Sequence, residues 1–287
     1  MAHVVCSPGS CGELVQGYGW GSSFMITCPV DRYSRAESRL SASPSRLPAK
    51  SDAARALTLR YLGKEHLSVD VHLTSDIPVG KGMASSTADI TAVCQATALA
   101  CGCVLSPEEI AAIAIAIEPS DATFYPGIVQ FDYRGGTVIR RLGPSPAAQI
   151  LVYDCGGEVD TLAFNSRKDL VAMQKENEAD IRKAVALCLE GLRSGSVDQI
   201  GEAATISAFA NQKILYKEAL EPFYEAGRRA GGRGVIAAHS GTVLGLLLAA
   251  SDDADAARHA MDRALGGAVN FVDCVRITND GMTIEEA

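Results

Sequence analysis

Asp76-Ile77-Pro78-Val79-Gly80-Lys81-Gly82-Met83-Ala84-Ser85-Ser86-Thr87-Ala88 joins a strand to a helix through a turn that carries two glycines. Before it, Val69, Val71 and Leu73 alternate with polar residues at the period of a half-buried strand. After it, residues 86–101 are small and apolar on nearly every side, as a helix buried all round should be. Such a turn can aim several backbone N–H groups at one point, and the helix dipole adds positive potential there, so an anion is held without a charged side chain. Phosphate is the anion this geometry suits best, and an ordinary turn with serine caps is the alternative. Lys81 resembles a Walker lysine only superficially, because the G-x-x-x-x-G-K-[ST] order is absent.

Working outward, strands are expected at 2–6 and 23–29, followed by an exposed, irregular excursion over 35–51 rich in Ser, Arg, Pro and Ala. Ala56, Leu59 and Leu62 predict a helix over 52–62. A further buried helix over 106–117 opens with Ser106-Pro107-Glu108-Glu109, a capping box with proline at the first helical position. The proline-rich 142–146 reads as a domain hinge, dividing the chain into residues 1–145 and 146–287. Beyond it the pattern predicts a strand at 149–154, three helical stretches between 166 and 230, strands near 234–238 and 242–248, a helix over 252–265 and a closing strand over 269–277. Strands interleaved with helices indicate an α+β architecture in both halves, and there is no internal repeat.

Composition narrows the function. Asp and Glu total 34 against 26 Lys and Arg, a formal charge of −8, whereas nucleic-acid and anionic-membrane binders carry the opposite surplus. No nucleic-acid or membrane partner is expected, and any phosphate must be held locally. The apolar stretch 235–250 is interrupted by polar residues and too short to span a bilayer, so it reads as two buried strands joined by a turn. The N-terminal residues lack a secretory pattern, and nine cysteines, an odd number spread thinly, read as reduced thiols; both point to the cytoplasm. Cys101-Gly102-Cys103 is too tightly spaced for a common zinc site.

Pro78-Val79-Gly80-Lys81-Gly82-Met83-Ala84-Ser85-Ser86-Thr87-Ala88 resembles the P-x-x-x-G-[LM]-[AG]-S-S-[AST]-A phosphate loop of the GHMP kinases. Two more segments resemble that family's motifs in the right order: Pro8-Gly9-Ser10-Cys11-Gly12-Glu13-Leu14, its first, and the glycine-rich 231–245 with Ala238-His239-Ser240-Gly241-Thr242-Val243, its third. The resemblance implies a two-domain fold, with an N-terminal domain like ribosomal protein S5, a ferredoxin-like C-terminal domain, and the active site between them. Within the family, 8–17, Cys28-Pro29-Val30-Asp31 and Glu118-Pro119-Ser120-Asp121-Ala122-Thr123 are most similar to the members that phosphorylate L-threonine in cobalamin biosynthesis. That likeness implies ATP and Mg²⁺ as cofactors and a small amino alcohol or amino acid as substrate, and it leaves a homodimer open. Homoserine or another small alcohol is the alternative acceptor, and a silent nucleotide-binding sensor the alternative function.

By the same resemblance, Pro78 to Thr87 bind ATP. Ser86 and Glu118 match the family's magnesium ligands, and Asp121 its catalytic base. Each has a structural alternative: an N-cap for Ser86, a solvated helix-end carboxylate for Glu118, and an Asx turn before Thr123 for Asp121. Ser10, Glu13 and Asp31, with His239, Ser240, Gly241 and Thr242, are candidates for the substrate side; Glu13 or Asp31 suits an ammonium group. A carboxylate would want an arginine, and Arg228, Arg229 and Arg233 precede the third motif, each more simply an exposed helix-end charge. The departures lie here too: Ser10 stands where some members carry a basic residue, and His239 where a small or apolar one is common.

Overall fold

The first two strands run far beyond their expected limits. In the computed structural model, which describes residues 3–157, 164 and 166–286, β1 spans His3–Gly19 and β2 spans Ser22–Leu40. Most of β1 is buried on both faces, so its sequence lacks the alternation that marks a half-exposed strand. The expected strand began at Ala2, which lies outside the described residues. Arg35 to Leu40, expected in an irregular excursion, complete β2 and pair with β3 (Val69–Ser75). Their polar character reflects a solvent-facing edge, where Arg35 pairs with Asp76 and Arg39 with Asp70. Helix α1 (Ala49–Tyr61) starts before the excursion was expected to end, leaving only 41–48 irregular.

Helix α2 (Ser85–Ala100) has Thr87, Ala88 and every residue from Ile90 to Ala98 buried, as its composition requires. Helix α3 (Pro107–Ile115) carries the expected capping box: Ser106 Oγ accepts from Glu109 N at 3.3 Å, and Ser106 N donates to the Glu109 carboxylate at 2.7 Å. An unexpected hairpin follows, the buried β4 (Ile128–Asp132) and the exposed β5 (Thr137–Gly143). After β6 (Ala148–Asp154), the region expected to hold three helical stretches has four helices: α4 (Leu170–Glu176), α5 (Glu178–Ser194), α6 (Val197–Asn211) and α7 (Leu220–Arg229). Asn177 separates the first two, its side chain donating to the Ala210 carbonyl at 2.8 Å. The apolar stretch forms β7 (Gly234–Ala237) and β8 (Val243–Ala249); α8 (Ala254–Leu265), β9 (Asn270–Arg276) and β10 (Thr283–Glu286) complete the chain.

Among the described residues all strands join one antiparallel sheet in the order β5-β4-β2-β1-β7-β8-β6-β9, with β3 also on β2 and β10 on β1. Strands from before and after the expected hinge meet at three places: the pair Glu13–Ala237 between β1 and β7, the β1–β10 pairing from His3–Glu286 to Cys6–Thr283, and the bridge Val30–Ile277. Three apolar clusters hold the layers together. One packs α1, α2 and α3 on the N-terminal strands, a second seats α5 and α6 under β1 and the central strands, and a third packs α7 and α8 on β6, β7 and β8. The β1–β7 junction thereby lies beside the N-terminus of α2. Among the described residues no helix is long and apolar enough to cross a membrane.

Candidate active site

The three sequence motifs meet through their backbones. Ser10 N donates to the Met83 carbonyl at 3.0 Å and Gly12 N to the Gly82 carbonyl at 3.2 Å; from the other side, Thr242 N and Val243 N both donate to the Lys81 carbonyl, at 3.0 and 3.1 Å. Two glycines make this closeness possible. A β-carbon on Gly241 would lie 2.4 Å from Gly82 Cα, and one on Gly82 would lie 2.5 Å from Ala238 Cβ. The Pro8–Glu13 segment reaches this junction through register shifts in β1 at Pro8/Ser10 and Ser10/Glu13.

The turn delivers an uncapped helix. Gly80 and Gly82 take φ of 74° and 86°, and Ala84, the N-cap of α2, sits at φ 57° and ψ 26°. For a residue with a β-carbon that conformation costs about 1–2 kcal/mol. No side chain caps the helix, so the serine N-cap considered for Ser86 is not formed. The free end of α2 opens on a cleft of about 420 Å³ lined by Val79, Gly80, Gly82, Met83, Ala84, Ser85, Ser86 and Thr87 on one side. That volume lies within the usual range of ligand sites. Lys81 turns away from it, pairing with Asp154 at 2.7 Å. Burial alone would raise the Asp154 carboxyl, but hydrogen bonds from Lys81 and its neighbours hold it below its ordinary value.

Facing the helix end are the candidate acids. Glu118 follows α3, its N–H closing on the Ala114 carbonyl, and is only 5% exposed. It is therefore not a solvated helix-end carboxylate: one oxygen accepts the Ser86 hydroxyl and the other an ion pair from Lys50 at 2.6 Å. Asp121 is fixed three residues on, where its N–H donates to Thr87 Oγ1 at 3.1 Å and the preceding Ser120 N–H to the Tyr133 carbonyl at 3.1 Å. Asp121 Oδ1 is buried without a hydrogen-bond partner, so this oxygen is not tied into a local turn. Burial, then the charges of Glu13 and Glu118, push the Asp121 carboxyl up to about 8. An unpaired carboxylate oxygen beside an anion-binding helix end is suited to accept a proton from a hydroxyl brought there. Among the described residues no group of three or more His, Cys, Asp or Glu could hold a metal ion. Ser86 and Glu118 do offer two oxygen donors in contact, as many as Mg²⁺ commonly takes from protein when phosphates and water supply the rest.

Comparison with known proteins gives the chain a family. Residues 49–126 match the family model of the GHMP kinases N terminal domain. The chain is 34% identical over 272 residues to an L-threonine kinase of Salmonella typhimurium, covering 92% of this chain and 86% of that one. It is 33% identical over 268 residues to an L-threonine kinase of Citrobacter freundii, covering 91% and 89%. The chain belongs to the GHMP kinases. Its fold is theirs as well: a homoserine kinase structure from Cytophaga hutchinsonii superimposes with a TM-score of 0.72 at 20% identity, covering 99% of this chain and 97% of that one. GHMP kinases are ATP-using small-molecule kinases of α+β architecture.

In this GHMP kinase the substrate-side candidates separate. Glu13 and Ser240 line the cleft with Ser86, Glu118 and Asp121. His239 stands behind Glu13: its backbone N–H and Nδ1 each lie 2.9 Å from the Glu13 carboxylate, and Nε2 lies 3.2 Å from Ser207 Oγ. Ser10, Gly241 and Thr242 belong to the loop contacts rather than the cleft wall, Ser10 N meeting the Met83 carbonyl and Thr242 N the Lys81 carbonyl, and Ser10 Oγ is buried and unpaired. Asp31 is not brought to the cleft; its Oδ1 accepts from Arg276 N and from Arg32, beside β9. Arg233 is paired with Asp252 and Asp198, and with Arg228 it lines a separate cavity of about 240 Å³. Arg229 is exposed at the end of α7.

Three residues of the site escaped sequence reasoning. Lys50 lay in the supposed excursion. Asp89, one turn into α2, lines the cleft and accepts from Ser34 Oγ, burial pushing its carboxyl up. Lys217 is buried between α6 and α7, where it donates to the Gly241 carbonyl at 2.5 Å and desolvation lowers its ammonium. Local sequence carries no signal for these contacts, because each joins segments at least 24 residues apart.

Proposed function

We propose that this GHMP kinase transfers the γ-phosphoryl group of ATP to the side-chain hydroxyl of L-threonine. The product is O-phospho-L-threonine, a precursor of the aminopropanol linker of cobalamin. One juxtaposition carries the chemistry: the unpaired Asp121 oxygen shares a cleft with the Ser86–Glu118 pair and the uncapped end of α2. The choice of threonine rests on the two similar L-threonine kinases.

In this reading the backbone from Gly80 to Thr87 holds the polyphosphate, and Ser86 Oγ with the Glu118 carboxylate holds Mg²⁺. When bound, that ion supplies charge neutralisation on the phosphates. Glu13, braced by His239, takes the threonine ammonium, and Ser240 closes the acceptor side. Asp121 accepts the hydroxyl proton as the threonine oxygen bonds to the γ-phosphorus; the bond from that phosphorus to the β,γ-bridging oxygen breaks and ADP leaves. Residues 1–145 form the lobe that carries the ATP site, and 146–287 the lobe that brings Ser240 to it. A cytoplasmic setting suits the nine unpaired cysteines.

A coupled ADP-release assay across L-threonine, L-serine, L-homoserine and mevalonate, with the phosphoester identified by NMR, tests the assignment. Threonine should give the highest kcat/KM. A higher value for homoserine refutes the choice of acceptor, and ATP binding without turnover on any alcohol refutes the kinase in favour of a sensor.

A further inference from the structure

Four carboxylates line the cleft, those of Glu13, Asp89, Glu118 and Asp121, against one basic side chain among the described residues, Lys50. A nucleotide triphosphate entering such a site meets an excess of negative charge, opposed by the end of α2 and by Lys50. The position of Lys50 is otherwise unfavourable. It is the second residue of α1, where the helix dipole opposes a cation, and α1 carries its acid, Asp52, in the same turn. Its ion pair with Glu118 is lopsided: Lys50 is 43% exposed and is solvated wherever it points, whereas Glu118 is 5% exposed and needs a cation or hydrogen bonds to stay ionised. Yet that ammonium lies 2.6 Å from the oxygen of Glu118 that Ser86 does not use.

We propose that Lys50 is a cation with two positions. In the empty site it neutralises Glu118, holding a buried carboxylate that a divalent ion would otherwise claim. When nucleotide and divalent ion are bound, Lys50 leaves Glu118 and pairs with the polyphosphate, becoming the cationic side chain that binds ATP. Its half-exposed, flexible stem, rooted on the wall of the same cleft, permits the exchange without movement of α1. This inference rests on the kinase reading of the cleft but not on the identity of the acceptor.

The two positions make opposite predictions for one substitution. In Lys50→Met, binding of Mn²⁺ alone, followed by its EPR signal, should tighten several-fold because the competitor is gone. Calorimetric binding of Mg·ATP without acceptor should weaken about tenfold or more, the scale of a lost charged hydrogen bond. Adenosine affinity should stay unchanged, and Lys50→Arg should recover most of the ATP affinity. Thermal melts confirm that each variant is folded. Unchanged affinity for both Mn²⁺ and ATP, or equal losses for adenosine and ATP, would overturn the assignment of Lys50. Wild-type protein that binds no nucleotide would instead remove the kinase reading itself.

Discussion

Replacing Asp121 by Asn should make the protein more stable, and increasingly so as the pH rises. The wild-type carboxyl is pushed from its ordinary value of 3.8 to about 8, chiefly by burial and then by Glu13 and Glu118. A carboxyl raised on folding binds its proton more tightly in the native state, so its contribution to stability falls as pH climbs from about 4 to about 8. At pH 7 the unfolded group has ionised and the native one has not, a span of roughly three pH units worth about 4 kcal/mol at 1.36 kcal/mol each. Asparagine has nearly the same shape and no charge, and it escapes the penalty. The expected gain is on the order of 2 kcal/mol at pH 5.5 and about 4 at pH 7, and it stops growing above about pH 8; near neutrality it corresponds to about 8–16 °C in melting temperature. Urea titrations of both proteins across that range, without nucleotide or metal, measure it directly. Equal stabilities throughout, or a difference that shrinks toward high pH, would show that the Asp121 carboxyl is not held in the state described.

The same carboxyl should govern turnover. Because Asp121 must be ionised to accept a proton, kcat/KM of the wild type should rise with pH and level off near 8, while Asp121→Asn loses that limb and on the order of 10²–10⁴ in rate. Stopped-time ADP release from pH 6 to 9 checks both, and a pH limb that survives in the variant excludes Asp121 as its source. Ser86→Ala removes one of the two oxygen donors and should raise the magnesium needed for half-maximal rate by about 10-fold or more, a change read from rates at fixed ATP. Gly241→Ala places a methyl 2.4 Å from Gly82 Cα and 2.5 Å from the Lys81 carbonyl, both backbone atoms that cannot swing aside. It should cost about 1–3 kcal/mol in denaturant titration and weaken ATP binding, and wild-type values for both would mean the two loops are not in contact.

The helix-forming half of the site was legible because its signals are local. The glycine turn, the small apolar helix after it and the Ser106 capping box each lie within a few residues, and α2 and α3 formed where their patterns placed them. The long strands β1 and β2 were not legible, since burial on both faces removes the period-2 alternation, and a solvent-facing edge with arginines reads as loop. The serine-cap alternative failed for a related reason. Local preference puts Ser at an N-cap, but here Ala84 holds that place at a strained φ, leaving the Ser86 hydroxyl at the second helical position, where it reaches Glu118. Lys50, Asp89 and Lys217 were invisible because chain topology alone sets what each one meets.

The acidity of the chain takes on a local meaning at this cleft. A net charge of −8 argues against an extended basic surface, and four carboxylates line the cleft proposed to hold a polyanion. In the proposed mechanism these demands are compatible: backbone N–H groups at the end of α2 would attract phosphate without adding a titratable cation, while Glu118 would supply a metal ligand and Asp121 a proton acceptor. Crowding the acids has a cost, visible in the raised Asp121 carboxyl and in the placement of Lys50 against the dipole of α1. Cations bound as proposed would offset that cost: a divalent ion on Glu118 and a substrate ammonium at Glu13 would both favour ionised Asp121. In the proposed mechanism, burial and the neighbouring carboxylates favour protonated Asp121, and the ligands that bring the hydroxyl and the phosphate together would release it as the base.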